Sequence, residues 1–281
     1  MKQRFLSSVA IVVVMLLIAV FSGYIVYPIS LAAMAVMAVF EILRVIGAHK
    51  NYLLSVPALI FAPVFPIIAY FVESDKIIYF LLALASCIFV YMLYLMAVSV
   101  FSRGKIAFSR IAEVFTAVTY VSVSASSLSL IRYLDDKFGL FMAVLAFIIP
   151  WMCDVFAYIC GSLFGKHKLI PEISPKKTVE GAIGGIVFSA LFCLLYGFVL
   201  DLIFADIKVN YLVLLLFGAI LSVVSQLGDL IASLIKREYG AKDYSNLIPG
   251  HGGIMDRFDS VFSVSTILMI LCILIPPFTA A

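Results

Sequence analysis

The stretch IIYFLLALASCIFVYMLYLMAVSVF, residues 77–101, holds no charged side chain over 25 positions. About 20 apolar residues in a helix are enough to cross the hydrocarbon core of a lipid bilayer. A helix that is apolar on every side is stable only inside lipid or inside a protein core. The stretch therefore predicts a transmembrane helix, and it decides the class of the whole chain.

The composition agrees with a membrane protein. The 281 residues are 65% hydrophobic and 12% charged, with a mean hydropathy of +1.20, whereas soluble domains carry about 25% charged residues. The net charge of +3 is too small to indicate a nucleic-acid partner. All five cysteines lie in apolar runs without metal-ligand spacing, so we interpret them as small buried side chains.

Hydropathy predicts an all-α polytopic membrane protein with about nine transmembrane helices. The predicted spans are residues 5–22, 25–46, 52–72, 77–101, 111–131, 139–161, 181–200, 211–235 and 256–276. The first run follows two basic residues as in a signal peptide, but no small-residue cleavage site comes after it, so we interpret it as a span. The fifth is rich in Ser and Thr, which is typical of a helix buried among other helices.

The placement of basic residues predicts the orientation of these spans. With a cytoplasmic N-terminus, 15 of the 19 Lys and Arg residues fall on inside segments, and the outside segments hold only Lys76, Arg132, Lys137 and Lys208. Cytoplasmic loops are enriched in Lys and Arg. We therefore predict a protein of the inner (cytoplasmic) membrane with its N-terminus in the cytoplasm and its C-terminus outside.

The sequence leaves no room for a separate soluble domain. We divide it into an N-terminal transmembrane region of about four spans, residues 1–101, and a C-terminal catalytic region, residues 102–281. In the predicted orientation the two loops richest in polar residues, 162–180 and 236–258, both face the cytoplasm. The catalytic chemistry is expected on that side.

Two acids lie inside predicted spans, where a charge costs at least a few kcal/mol and usually faces a cavity. Asp154 has Tyr158 and Gly161 on the same helix face, four and seven residues later. Asp229 lies on a polar stripe whose other members are Ser222, Ser225, Gln226, Ser233 and Lys236. A carboxylate in lipid needs a cation, so we predict that Asp229 is functional; a buried helix contact is the alternative.

The run GKHKLIPEISPKKTVEGAIGG, residues 165–185, carries Lys176 and Lys177 just before a predicted span. Thr178 is predicted to cap that helix, with Glu180 in its first turn. Paired lysines beside the backbone N–H groups of a helix N-terminus indicate a phosphate-binding site. The alternative is an ordinary cytoplasmic loop, whose lysines the orientation already explains.

The run KREYGAKDYSNLIPGHGGIMDRFDS, residues 236–260, has the composition of a metal–phosphate site. Mg²⁺ takes one or two carboxylates plus phosphate oxygens and water, and basic side chains hold the remaining phosphate charge. Gly252 and Gly253 let the backbone approach a ligand closely. Three carboxylates, those of Asp229, Asp256 and Asp259, are enough to bind a divalent and a monovalent cation. Asp256 and Asp259 share a face if they are helical. The basic residues beside them are Lys236, Arg237, Lys242 and Arg257.

The same run leaves two points open. An amphipathic cytoplasmic loop with incidental ion pairs is the alternative to a metal site. His251 fits three roles, those of a general base, a phosphate donor and a structural turn residue. We favour a structural or phosphate-contacting role, because no neighbouring group in the sequence orients it as a base.

A pattern of 27 residues runs through this region. Its members are Ser233, Lys236, Arg237, Lys242, Asp243, His251, Gly252, Gly253, Asp256, Arg257 and Asp259. The pattern resembles the signature of the phosphatidate cytidylyltransferases (CDP-diacylglycerol synthases) at every position. SPKKTVEG, residues 174–181, is similar to a second conserved block of that family, and Asp229 stands where the family has an acid upstream of the signature. The resemblance is strongest from about residue 102 to the end.

The resemblance implies condensation of CTP with phosphatidic acid, giving CDP-diacylglycerol and pyrophosphate in phospholipid synthesis. It implies Mg²⁺ as cofactor, with Mn²⁺ as an alternative, a second cation such as monovalent K⁺, and a homodimer in the lipid bilayer. The catalytic set that it implies is Asp229, Asp256, Asp259, Lys236, Arg237 and His251, with the three acids as metal ligands. The phosphate-binding set is Ser174, Lys176, Lys177, Thr178, Lys242, Arg257, Gly252 and Gly253. We expect in-line attack of a phosphatidate oxygen on the α-phosphorus of CTP, without a covalent intermediate.

Three other functions compete with this one. A CTP-using polyprenol or phytol kinase would resemble the C-terminal half but would release a nucleoside diphosphate. A CDP-alcohol phosphotransferase would show the run D-G-x2-A-R followed by spaced aspartates, which the sequence lacks. A transporter would place acids near the bilayer midplane, whereas Asp154 and Asp229 lie toward the predicted cytoplasmic ends of their spans.

Overall fold

The computed structural model describes residues 13–248, 250 and 252–280. Residues 13–20 are helical and belong to the helix that we call α1. The helices that follow are α2 (Val26–Val45), α3 (Tyr52–Ile68), α4 (Ile77–Phe101), α5 (Phe108–Tyr133), α6 (Gly139–Phe164), α7 (Val179–Ile203), α8 (Tyr211–Glu238) and α9 (Met255–Leu274). Two short 3-10 turns, Ala69–Phe71 and Ser74–Lys76, link α3 to α4.

The chain also forms two small antiparallel strand pairs. In the first, β1 (Lys168–Ile170) pairs with β2 (Ser174–Thr178) between α6 and α7. In the second, β3 (Ile207–Val209), just before α8, pairs with β4 (Phe278–Ala280), just after α9.

The predicted class is confirmed. In the part of the chain that the structure describes, eight helices are long and apolar enough to cross a membrane. Each matches one predicted span, and the ends differ by four residues or fewer. Of the remaining predicted span, residues 5–22, the part 5–12 lies outside the described residues, and residues 13–20 are helical.

The chain divides into two compact units. The segments Met1–Leu134 and Tyr239–Phe258 form what we call the N-terminal unit, and Asp135–Glu238 and Asp259–Ala281 form the C-terminal unit. The chain therefore passes from one unit to the other within α9, after its first turn.

The N-terminal unit is built around α5. In its membrane-crossing window 72% of α5 is buried, against 17% of α4, so α5 is central and α4 peripheral. The Ser-rich face of α5 is buried as predicted. Two of its hydroxyls form hydrogen bonds within the protein: the Ser126 hydroxyl donates to the Ser122 carbonyl at 2.6 Å, and the Ser129 hydroxyl donates to the Pro66 carbonyl of α3 at 2.8 Å.

Small residues let the helices of the C-terminal unit approach closely. A Cβ added at Gly181 would lie 2.6 Å from the Ala157 carbonyl oxygen, so α7 runs against α6 backbone to backbone. A Cβ added at Gly218 would lie 2.6 Å from the Cα of Ala190, which brings α8 equally close to α7. This packing fixes the side chains at the ends of α6, α7 and α8.

The two strand pairs mark opposite ends of the C-terminal unit. The β3–β4 pair and a 2.5 Å ion pair between Lys137 and Asp206 lie at the start of α8. At the other end of α8, about 40 Å away along the helix axis, the Arg237 guanidinium donates to the Ile173 carbonyl between β1 and β2 at 3.5 Å. The polar residues predicted from the sequence gather at this second end.

Candidate active site

A cavity of about 400 Å³ opens in the C-terminal unit beside β2. Its polar lining comes from α6, β2 and α8, and the residues are Asp154, Tyr158, Ser162, Ser174, Lys176, Lys177, Thr178 and Gln226. Two sets of predicted residues therefore line one cavity. Asp154 and Tyr158 were predicted to share a helix face, and the SPKKT run was predicted to bind phosphate. It is large enough for a phosphorylated ligand.

The Lys177 ammonium group forms an ion pair of 2.5 Å with the carboxylate of Asp229. Each of the two side chains is 27% exposed, so the pair is partly withdrawn from water. Burying either charge without the other would be unfavourable. Asp229, the acid inside a predicted span, thus has the cationic partner that its location requires.

Asp259 of α9 lies within electrostatic reach of Asp229 and of Lys236. The cause is close packing of α8 on α9: a Cβ added at Gly228 would lie 3.3 Å from the Asp259 carbonyl oxygen and closer still to Ser263. Asp259 is buried, and its Oδ1 accepts hydrogen bonds from the backbone N–H and the hydroxyl of Ser260. Two carboxylates and two ammonium groups therefore share this end of the C-terminal unit.

The end of the β1–β2 pair is fixed by two local contacts. The Thr178 hydroxyl caps α7 by accepting the backbone N–H of Gly181 at 3.1 Å, which confirms the predicted cap. The Glu180 carboxylate accepts the backbone N–H groups of Lys166 and His167 and contacts His167 Nδ1 at 2.6 Å. Lys176 and Lys177 are therefore held on a rigid strand.

The signature residues Lys242, Asp243, Gly252, Gly253, Asp256 and Arg257 lie in the N-terminal unit. Asp256 Oδ2 accepts the backbone N–H groups of Tyr244 and Gly253 at 2.7 and 2.9 Å. Asp256 is in the first turn of α9, so it and Asp259 are both helical, as expected. Lys242 and Arg257 are exposed, and His251 lies outside the described residues. That Asp229 and Asp256 hold a common cation stays a prediction.

Sequence analysis missed Glu41. This acid of α2 is 3% exposed, and it accepts hydrogen bonds from Ser245, Ile254 and Met255. The signal was present in the sequence, because Glu41 is the single acid in the predicted span 25–46, whose other charged residue is Arg44. An ionisable residue inside a span is a functional candidate wherever it occurs.

The model of the cytidylyltransferase family matches residues 2–275 of this chain. The chain belongs to the cytidylyltransferase family. A protein of Bacillus subtilis named phosphatidate cytidylyltransferase is 37% identical over 276 residues, which cover 96% of this chain and 97% of that protein. The family likeness thus extends over the first hundred residues as well, which lie before the region of strongest motif resemblance.

Staphylococcal relatives of this cytidylyltransferase-family protein carry the same name. The phosphatidate cytidylyltransferase of Staphylococcus haemolyticus is 42% identical over 179 residues, which are 64% of this chain and 65% of that protein. That of Staphylococcus aureus strain COL is also 42% identical, over 62% of this chain and 64% of its own length. These alignments cover slightly less than two thirds of the staphylococcal proteins.

The donor groups of this family member fit a Mg²⁺ ion. Within the described residues, no group of three or more His, Cys, Asp or Glu side chains is placed to hold a metal by itself. Mg²⁺ does not need such a group, because it is commonly bound by one or two carboxylates with phosphate oxygens and water as its other ligands. Asp229 and Asp259 supply two carboxylates at the same end of the C-terminal unit.

Proposed function

We propose that this protein condenses CTP with phosphatidic acid to give CDP-diacylglycerol and pyrophosphate, the activating step of phospholipid synthesis. The observation that carries the proposal is the Lys177–Asp229 ion pair, which joins the SPKKT strand to the acid upstream of the signature beside a 400 Å³ cavity. The names of the relatives in Bacillus subtilis and Staphylococcus haemolyticus point to the same reaction.

One bond forms and one breaks in this reaction. A phosphate oxygen of phosphatidic acid attacks the α-phosphorus of CTP, and the bond from that phosphorus to the bridging oxygen of the β-phosphate breaks. Pyrophosphate leaves with the electron pair of that bond. Phosphate monoesters lose their second proton near pH 6, so the nucleophile is already an anion at neutral pH and needs no strong general base.

The chain acts by holding charge and geometry. Lys176 and Lys177 line the cavity, and they neutralise phosphate oxygens there. Asp229 and Asp259 provide the carboxylates for Mg²⁺, or Mn²⁺ in its place. When bound, the metal ion offsets negative charge on the triphosphate and on the departing pyrophosphate.

In this proposal the other site residues keep the roles predicted for them. Asp256 is a metal ligand, and a second cation such as K⁺ accompanies the divalent ion. The groups that contact phosphate or support the backbone around it are Ser174, Thr178, Lys236, Arg237, Lys242, His251, Gly252, Gly253 and Arg257.

The proposal includes a setting for the reaction. The protein lies in the inner (cytoplasmic) membrane with its active site facing the cytoplasm, because CTP is a cytoplasmic nucleotide and most basic residues fall on the predicted inner segments. The protein works as a homodimer, as the resemblance to its family implies.

The position of a radioactive label tests the reaction. Purified protein in detergent micelles is given phosphatidic acid, Mg²⁺ and CTP labelled at either the α- or the γ-phosphorus. Cytidylyl transfer puts the α-label into lipid and the γ-label into pyrophosphate. A lipid kinase would instead put the γ-label into lipid, and a transporter would put neither label there.

Two variants complete this experiment. Asp256→Asn should lose the transfer reaction while it still inserts and folds, because the predicted metal ligand loses its charge. Asp206→Asn, at the opposite end of the C-terminal unit, should react at the wild-type rate. Near-normal transfer by Asp256→Asn, or γ-label in the lipid, would overturn the proposed function.

A further inference from the structure

Glu41 contacts a loop that is far away in the sequence. It belongs to α2, and the nearest loop residue that it binds, Ser245, comes 204 residues later. Both carboxylate oxygens take part. Oε1 accepts the Ser245 hydroxyl at 2.6 Å and the Ile254 backbone N–H at 3.0 Å, and Oε2 accepts the Met255 backbone N–H at 2.8 Å.

The position of Glu41 suits a carboxylate in particular. Ile254 and Met255 stand at the N-terminal end of α9, where backbone N–H groups have no partner within the helix. A negative charge at this end of a helix is also favoured by the helix dipole. A buried carboxylate is costly unless it is hydrogen-bonded, and the three donors of the loop supply those bonds.

Gly253 shows how tightly the loop is held. A Cβ added at this residue would lie 2.4 Å from each carboxylate oxygen of Glu41, closer than any real contact. The loop backbone therefore rests directly on the carboxylate. The close approach of Glu41 therefore explains why the signature has a glycine at position 253.

Asp256 holds the same backbone from the other side. Its Oδ2 accepts Gly253 N–H, so three successive N–H groups, those of Gly253, Ile254 and Met255, are bound by two carboxylates. Asp256 also accepts Tyr244 N–H, and two backbone hydrogen bonds join Ile248 to Gly252. The orientation of Asp256 consequently depends on a backbone that Glu41 keeps in place.

We propose that Glu41 is a positioning residue that fixes the carboxylate of Asp256 by holding the side chain of Ser245 and the backbone of residues 253–255. The inference rests on the proposed function, since it is that function which makes Asp256 a ligand of Mg²⁺. It assigns the N-terminal unit a part in the reaction beyond anchoring the protein in lipid.

The isosteric variant Glu41→Gln breaks this arrangement with little change in shape. A glutamine has one acceptor oxygen, whereas Glu41 uses both of its oxygens. In either orientation its NH₂ group faces at least one N–H or O–H donor of the loop. Loss of a residue that orients a metal ligand typically weakens metal binding about 10–100-fold.

The experiment measures the Mg²⁺ concentration that gives half-maximal cytidylyl transfer by full-length protein in lipid nanodiscs. We expect this concentration to rise about tenfold or more in Glu41→Gln. Val39→Ala is the matched control, because Val39 is fully buried in the same helix and its side chain accepts no hydrogen bond. A loss of folded protein lowers the rate of either variant but leaves the half-activating Mg²⁺ concentration unchanged.

Hydrogen exchange gives a second readout that does not depend on activity. In metal-free protein, amides in the peptide 247–258 should exchange about tenfold faster in Glu41→Gln than in wild type, and at the wild-type rate in Val39→Ala. If Glu41→Gln does not fold, Ser245→Ala replaces it. That variant removes one of the three donors and should change both quantities in the same direction by a smaller factor.

Each outcome decides a different point. An unchanged Mg²⁺ requirement in an active Glu41→Gln protein, or an equal rise in Val39→Ala, overturns the inference. If wild-type protein transfers no α-label from CTP, the proposed function fails instead. Hydrogen exchange then still tests the contact by itself. Unchanged exchange of the 247–258 peptide in Glu41→Gln would show that Glu41 does not hold the loop, and faster exchange would show that it does.

Discussion

The acids of the two units have different partners. In the C-terminal unit, Asp229 pairs with an ammonium group and Asp259 lies near Asp229 and Lys236. In the N-terminal unit, Glu41 and Asp256 accept backbone N–H groups. An ion pair can exchange one charged partner for another as a ligand binds, whereas a carboxylate bonded to backbone keeps a segment in place. The ion-paired acid of the C-terminal unit is therefore free to change its partner, whereas Glu41 of the N-terminal unit keeps a segment of backbone in place.

The largest effect that this comparison predicts is at Asp229. Asp229→Asn should lower the transfer rate at saturating CTP by about a thousandfold, because loss of one preorganised electrostatic contact typically costs 10²–10³ in rate. The rate is measured with α-labelled CTP, and folding is checked by size-exclusion chromatography in detergent.

Exchanging the charges of Lys177 and Asp229 distinguishes the contribution of the ion pair to stability from its contribution to the reaction. The double variant Lys177→Asp with Asp229→Lys retains an attractive pair, so it should unfold at a higher temperature than Asp229→Lys alone. It should nevertheless be inactive, because the carboxylate has moved to the phosphate-binding strand. Recovery of activity would mean that the pair is only structural.

Substitution of Gly253 should have the next largest effect, and it tests the contact between Glu41 and the loop backbone. Gly253→Ala places a methyl group against the Glu41 carboxylate, and overpacking of this kind typically destabilises a protein by about 1–3 kcal/mol. We expect a lower thermal unfolding temperature and a higher Mg²⁺ requirement. Gly23→Ala is the control, since its Cβ would meet its nearest neighbour at an ordinary 3.7 Å. Equal behaviour of the two variants would contradict the close contact at Glu41.

Thr178 should show a smaller effect on stability. Thr178→Ala removes the hydroxyl that caps α7 at Gly181, and loss of such a cap costs about 1 kcal/mol. Thr178→Ser keeps the cap and should retain most of that stability. Thermal unfolding of both variants in the same detergent measures the difference, and identical losses would show that the methyl group matters more than the cap.

The smallest effect concerns a charge pair remote from the cavity. Lys137 hydrogen-bonds to Asp206 and lowers the pKa of that carboxyl below its usual range. A depressed acid pKa contributes stability above the unfolded-state pKa and loses it as the pH falls through the folded-state value. Lys137→Gln should therefore unfold slightly more easily than wild type at pH 7, and the difference should disappear as the pH falls through the lowered pKa of Asp206. Because the pair is exposed, a large difference at pH 7 would contradict this account.

Local patterns predicted the features that depend on nearby residues. Hydropathy located the helices because each span is a continuous apolar run, and the Thr178 cap followed from its place before such a run. The acid Asp229 stood out because its cost in lipid is a property of the residue alone.

Features that depend on distant residues were not predicted. Glu41 was overlooked because one acid hardly changes the hydropathy of α2 and its partners lie more than 200 residues away. The strands β3 and β4 have three residues each, too few to show an alternating pattern, and their paired residues lie 69–73 positions apart in the sequence. No local pattern in the sequence predicted that Lys177 is the partner of Asp229.

The pairing of β4 with β3 has a practical use for labelling this protein. Phe278 of β4 is buried against the rings of Phe141 and Tyr196, so the strand is anchored. A tag attached beyond residue 280 would emerge a helix length away from the Lys177 cavity and leave substrate entry unobstructed. In the proposed orientation the C-terminus is outside, so alkaline phosphatase fused at this point should be active and green fluorescent protein dark. The opposite result would reject that orientation.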